Sequence, residues 1–453
     1  MNEVLAVRLR IVVLWIVGVA PAGLSALVLS GVYEPPKVWS VRRAWGSPAA
    51  AESLGLGASP PAQLLALLLV PLLVTTAVLG CALARRGRSA AAFCGTLAVG
   101  LAVLYGARLL SALTGRSGGA GRWDLWLPLL VTIALCLAPR PAPGDVLPHL
   151  RGILRAYTWG ALAALALFGT AETFGYPDTA ELRLGFLPGR FMGTGLHPNL
   201  LGPLAAFALA AECVPLRRAR LWPLHAAAAA TVLLLTQSRT SWLACVLGLL
   251  LLHRPGAHRM LHPLLARTLG VGAAVGLALP VPGAVAAAAR AAGSGDIGSL
   301  HGRHLPWRAA REAFEAHPLL GYGPRLFTDP LSPVGGAFGH AHNQLLQVLA
   351  TSGLVGAAGL LLFAVAAVRL AVRSFGATAG LSAAWLTMTA VVGVTEVPLS
   401  GTGLWVPTAL TSLLVCALLM APTGAPPLPL QPLQERPLPC TAPRRLPSPA
   451  SSA

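Results

Sequence analysis

The sequence predicts an all-α polytopic membrane protein of about twelve transmembrane helices, and three observations carry that reading. First, 55% of the 453 residues are hydrophobic and only 11% are charged, whereas a soluble chain carries roughly a quarter charged residues. Second, the apolar residues fall in long blocks, many close to the ~20 residues that cross a bilayer as a helix, and mean hydropathy is +0.70. Third, arginine clusters such as Arg85-Arg86-Gly87-Arg88 and Arg217-Arg218-Ala219-Arg220 separate the blocks, as cytoplasmic turns do. That pattern accounts for the net charge of +18 by membrane orientation, so no nucleic-acid partner is expected.

The expected spans are 11–31, 62–84, 89–113, 124–139, 152–171, 199–216, 221–237, 241–252, 267–289, 343–368, 377–395 and 406–421. The first has a basic flank and reads as an uncleaved helix rather than a signal peptide, because so many spans follow it. An even number of spans puts both termini on one side, and the short arginine-dense turns put that side in the cytoplasm. The expected location is the inner or plasma membrane, with residues 1–421 forming one transmembrane domain. The tail 422–453, rich in proline and alanine, is expected to be a disordered cytoplasmic segment. Six of the seven cysteines lie in apolar runs and Cys440 lies in the tail. Their spacing gives neither a disulfide framework nor a zinc site.

Two extracytoplasmic loops stand out. One, about 172–198, carries Glu172, Asp178 and Glu181, which read as a solvated acidic loop. The other, 290–342, is the longest and lies between the ninth and tenth helices. Within it Leu305 to Ala316 has the period of a short amphipathic helix, and the Gly- and Pro-rich chain after Leu320 reads as irregular.

Three stretches gather chemistry at that face. In "HAHNQLLQVLATSGLVG", His340 to Gly356, His342 stands at the top of the tenth helix. Leu346, Leu349, Gly353 and Gly356 lie on the helix face beneath it. Small residues let helices approach closely in lipid, so Gly353 and Gly356 are expected to seat this helix against a neighbour. Asn343 can cap the helix or bond the imidazole; the plainer reading is a histidine among lipid headgroups. In "LLLTQSRTSWLACVLGLLLL", Arg239 sits at a tight outer turn beside Ser238, Thr240 and Ser241. There it either snorkels to headgroups or offers a fixed cation to a phosphate. In "GRHLPWRAAREAFEAHPLLGYG", Arg303, Trp307 and Arg311 recur every four residues. This basic helix can lie on the membrane surface or present guanidinium groups to a pyrophosphate.

Together these stretches resemble the O-antigen ligase family, which includes O-antigen ligases, O-antigen-type polymerases and some protein O-oligosaccharyltransferases. The most specific match is His342-Asn343, nine residues, then Gly353-Leu-Val-Gly356. Ser238-Arg239, Arg303 with Trp307 and Gly321-Tyr322-Gly323, and "GLHPNLLG" containing Asn199 match in kind and order, over about 170–400. The resemblance implies inverting, metal-independent transfer of a glycan from an undecaprenyl-pyrophosphate carrier to a glycan, lipid or protein acceptor, without a cofactor. It assigns the base to His342 and pyrophosphate binding to Arg239 and Arg303, with Arg308 and Arg311 as stand-ins for the latter. His340, Asn343, Trp307, Asn199, Gly353 and Gly356 support the site.

Two other function classes fit the sequence less well. A metal-dependent lipid-sugar transferase would cluster carboxylates, but Glu34 and Glu52 of the first loop are isolated. A transporter or flippase of lipid-linked glycans would place its charges near the midplane, whereas here they gather at one surface. Glu396, at the end of the eleventh span, can bind acceptor or steer a histidine, with a plain interfacial role the simpler reading.

Overall fold

The computed structural model describes residues 96–114, 143–175, 187–193, 197–216, 218–252, 303–327 and 339–400, with Leu129, Ser332 and Val334. The expected spans 11–31, 62–84, 267–289 and 406–421, nearly all of 124–139, and the tail 422–453 lie outside these residues.

The described chain is a helical bundle. Its helices are α1 (Thr96–Thr114), α2 (Pro143–Thr173), α3 (Pro198–Cys213), α4 (Trp222–Leu235), α5 (Arg239–Leu250), α6 (His304–Ala316), α7 (Gln344–Arg373) and α8 (Leu381–Thr395). Three of the described helices are long and apolar enough to cross a membrane: Thr96–Thr114, Leu147–Ala171 and Gln344–Arg373. In lipid an apolar segment can satisfy its backbone polar groups only within itself, which is why these sequences become helices. Two strands of two residues each, β1 (Phe174–Gly175) and β2 (Arg190–Phe191), pair antiparallel and add a short ladder to an architecture expected to be all-α.

Helix α3 is the centre of the bundle. It packs against α2, α4, α5 and α8, and Leu200, Leu201, Leu204, Ala205 and Ala210 are wholly buried. Alanines and glycines on its flanks let the neighbours approach. Gly202, for example, lies where a Cβ would press on Ser241 and Ser238 of the α5 start. Helices α1 and α7 form the most extensive pair. They run antiparallel, with Gly359 against the Leu104 backbone and Gly100 against that of Phe363.

The far end of α3 is closed by arginine. Arg151 of α2 is 2% exposed; its Nε and Nη2 donate to Ala211 O at 2.9 and 2.8 Å, Nη2 also to Val214 O at 2.7 Å, and Nη1 to Leu216 O at 2.7 Å. These carbonyls lie at the helix C-terminus, where the last turn has no intrahelical donors. One turn further along, Arg155 grips Glu212 of α3 with two parallel bonds of 2.7 and 2.8 Å.

Helix α7 departs from the expected straight span. Gly353 is non-helical (φ 62°, ψ −158°), so a short segment from Gln344 precedes the longer run to Arg373. The chain after α6 enters this break: Leu354 N donates to Pro318 O at 2.8 Å, Val355 N to Leu319 O at 3.2 Å, and Tyr322 N to Ala350 O at 2.8 Å. Gly353 is therefore required by its positive φ and by the Leu319–Leu320 backbone lying where a Cβ would stand. Gly321, also at positive φ, faces the backbone of Thr351 and Ser352 in the same way. The Gly353–Gly356 element thus receives a loop instead of seating a helix. Close helix packing falls to Gly359, and Gly356 meets only Ser352 and Val348 of its own helix.

Candidate active site

The site lies at the end of the bundle where α3, α5, α6 and α7 begin and α8 ends. It is built around Glu396, which caps the C-terminus of α8 and is 2% exposed. Its Oε1 accepts from Asn199 Nδ2 at 2.7 Å and from Arg303 Nη2 at 3.2 Å. Its Oε2 faces His342 Nδ1 at 3.3 Å and His340 Nε2 at 3.7 Å. Three elements, the starts of α3 and α6 and the turn before α7, therefore deliver one donor-bearing side chain or more to a single buried carboxylate.

Each side chain is held by local structure. His342 does not open the helix as expected; it precedes it, with φ +51°, a conformation that costs a non-glycine residue of order 1–3 kcal/mol and persists only where surroundings fix it. Here they do. His342 N donates to His340 Nδ1 at 3.0 Å, and His342 O accepts from Trp307 Nε1 at 3.4 Å. Asn343 caps α7 as expected, its Oδ1 accepting from Leu346 N at 3.0 Å, while its Nδ2 donates to Val394 O at 3.1 Å. Gln347 Oε1 accepts from Ala341 N, and Gln344 Oε1 from Leu399 N. The turn before α7 and the chain around Glu396 are thus bonded directly to one another.

Asn199 begins α3 behind the N-cap His197, whose Nδ1 accepts from Asn199 N. The Asn199 Oδ1 accepts from Arg190 Nη2 at 2.6 Å, and Arg190 Nε reaches Thr236 O at 3.2 Å. The β1–β2 ladder brings Arg190 to this position from the chain between α2 and α3. Arg239 is the first residue of α5 and is exposed. Its neighbour Thr240 accepts from Thr395 Oγ1 at 3.0 Å, one residue from Glu396. Gln237, two residues earlier, also has φ +51° and donates to Gly189 O, fixing the turn that Arg239 follows.

Burial alone would push the Glu396 carboxyl up, but the imidazole of His342, with His340 and Arg303, holds it well below the usual carboxylate range. It is an anion at neutral pH. His340 is held well below the ordinary imidazole value, first by burial and then by the charge of His342, with Glu396 opposing. It is neutral. Its ring lies against that of His342, with centroids 3.9 Å apart and planes tilted by 53°.

His340, His342 and Glu396 offer ligand atoms within 4.8 Å of one another, a nitrogen–oxygen donor set of the kind zinc accepts. The hydrogen bonding argues against a metal there. His340 Nδ1 accepts the His342 amide proton, so a neutral His340 carries its own proton on Nε2, the atom aimed at Glu396. A cation would have to displace that proton and break the hydrogen bond from the His342 amide that holds the turn.

The structure brings together His342, His340, Asn343, Arg303, Trp307 and Asn199, with Arg239 at the adjoining helix start. Arg308 and Arg311 do not join them. Both project to solvent and pair along α6 with Glu312 at 2.8 Å and Glu315 at 2.7 Å. Arg190 is read from the sequence only as a loop arginine, and Glu396 as able to bind acceptor or steer a histidine but more simply as an interfacial carboxylate. The signal for Glu396 was available, since between Asp329 and Glu435 it is the sole carboxylate of the chain.

A family model described as O-antigen ligase matches residues 224–361. The match spans α4 to the first half of α7 and includes Arg239, Arg303, His342, Gly353 and Gly356. Arg190, Asn199 and Glu396 lie outside it. No curated protein matches the chain.

Proposed function

We propose that this membrane protein transfers a glycan from an undecaprenyl-pyrophosphate carrier to an acceptor hydroxyl at the outer face of the membrane, a reading supported by the match of residues 224–361 to the O-antigen ligase family model. The family and the apolar helices make it a membrane protein with a polysaccharide-related ligase or polymerase role; the donor, the direction and the residue roles are this proposal's own. The acceptor oxygen gives its proton to His342 and attacks the anomeric carbon from the side opposite the carrier. The carbon–oxygen bond to pyrophosphate breaks as the new one forms, which inverts the centre, and the electron pair leaves on the phosphate. Arg239 and Arg303 neutralise the charge that grows there. Arg303 uses one nitrogen on Glu396 and keeps its remaining donors for phosphate oxygens. The reaction needs a base and cations but no metal.

The observation that carries this reading is the meeting of His342 and Arg303 on one buried carboxylate, with the helix that starts at Arg239 tied in through Thr240 and Thr395. The test is transfer by purified protein, in EDTA, from lipid-linked glycan extracted from the producing cells. Product is expected with wild type. His342→Ala is expected to lose about 10²–10⁴-fold in turnover and Arg239→Ala about 10²–10³-fold, both eluting as folded protein. No new glycosidic bond from wild type would remove the proposal; near wild-type turnover in either variant would remove that residue's role.

A further inference from the structure

We propose that Glu396 is a positioning residue that holds the His342 proton on Nδ1, making Nε2 the atom that accepts the proton of the acceptor hydroxyl. This rests on the transfer reaction proposed above and names a residue outside the stretch that matches the family model. Glu396 Oε2 lies 3.3 Å from His342 Nδ1, near enough to attract a proton there but not aligned as a hydrogen bond. Both atoms are buried and otherwise without a hydrogen-bond partner. An ionised carboxylate accepts only, so the atom of the imidazole that faces it is the one bearing hydrogen. The lone pair is then on Nε2, on the opposite side of the ring.

The rest of the cluster serves that orientation. Oε1 is taken by Asn199 and Arg303, which leaves Oε2 to the two histidines. His340 has its own proton fixed on Nε2 by the His342 amide, so it presents a donor to Glu396 and cannot take up a proton from His342 through that atom. Arg190 stands behind Asn199. The charged and titratable groups around the carboxylate are therefore His340 and His342 from the turn, Arg303 from α6, and His197 and Arg190 around the α3 start. During transfer the hydroxyl proton passes to Nε2, the oxygen bonds to the anomeric carbon, and pyrophosphate departs with the electron pair. The imidazolium so formed carries two protons, and its Nδ1–H faces an anion that was in place before the step. The short poor contact of the resting site is then expected to tighten, since a charged donor on a charged acceptor makes the stronger bond.

The experiment compares wild type, Glu396→Gln and Glu396→Asp in nanodiscs, using the same extracted lipid-linked glycan. Glu396→Gln is expected to lower kcat about 10²–10⁴-fold with donor affinity within about threefold, and Glu396→Asp to recover part of the loss. The acid limb of kcat/KM against pH is expected to move to lower pH in Glu396→Gln, because a carboxylate beside an imidazole favours its protonated form. A purely structural role would leave that limb in place. Retained kcat, or an unmoved limb, overturns the inference. A second measurement needs neither substrate nor variant: 15N spectra of histidine-labelled wild type, assigned with His342→Gln, are expected to show the Nδ1–H tautomer. The Nε2–H tautomer overturns the inference even if transfer is demonstrated. Absence of transfer by wild type overturns the reaction and leaves the tautomer to be decided by the spectra.

Discussion

The two ends of the bundle treat buried charge in opposite ways. At the far end, Arg151 makes four bonds to carbonyls and Glu212 is matched by Arg155 atom for atom. At the site end, Glu396 gathers two histidines, an arginine and an amide. Yet its Oε2 and the facing His342 Nδ1 lack an aligned hydrogen bond, and His342 and Gln237 sit in left-handed backbone conformations. Satisfied charge of the first kind locks a fold. Charge of the second kind is held short of its best partner, which is the condition for gaining a bond during a reaction rather than before it.

The comparison predicts a division of labour. Its largest test is Arg151→Met, which removes a cation from carbonyls that then lie buried without donors. A loss of about 3 kcal/mol or more is expected, read as a lower melting temperature, with turnover per folded molecule unchanged at permissive temperature. A loss of turnover without loss of stability would erase the distinction between the two ends.

The next test concerns pH. His340 binds a proton less readily when folded than when unfolded, so the unfolded chain takes up the extra proton as pH falls through about 6.5. Stability is therefore present above that value and declines as pH drops toward the lowered folded value. The melting temperature is expected to fall between about pH 7 and pH 5.5. His340→Asn, which retains an acceptor for the His342 amide, is expected to flatten that slope; an unchanged slope would mean another group sets it.

The smallest effect belongs to Arg308→Ala and Arg311→Ala. These exposed pairs along α6 contribute little, and turnover in each variant is expected to stay within about twofold of wild type, whereas Arg303→Ala is expected to lose about 10²–10³-fold. A large loss at Arg308 or Arg311 would move the second cation outward, to the face now paired with Glu312 and Glu315.

Local chemistry was legible in the sequence, and long-range assembly was not. The asparagine cap at Asn343 and the amphipathic helix after Arg303 follow from neighbours three or four residues away, and both were read correctly. Glu396 lies 54 positions beyond His342, at the end of a helix whose periodicity describes burial and says nothing about which histidine stands across the gap. Arg190 reaches Asn199 only because a two-residue ladder folds the chain between α2 and α3 back, and so short a ladder leaves no alternating pattern. The break at Gly353 was hidden for a different reason. Small residues at this spacing serve helix packing equally well, and only the position of Leu319 decides between the two uses.

That break ties two distant stretches into one inheritable part. The long membrane segment of α7 has its leading amides at Leu354 and Val355 capped by carbonyls from Pro318 and Leu319. A chimera that exchanges the chain from α6 to the start of α7 must therefore carry residues 317–323 and 350–355 together. Grafting one without the other would leave a helix end uncapped, and would loosen the histidine turn from the arginine helix beside it.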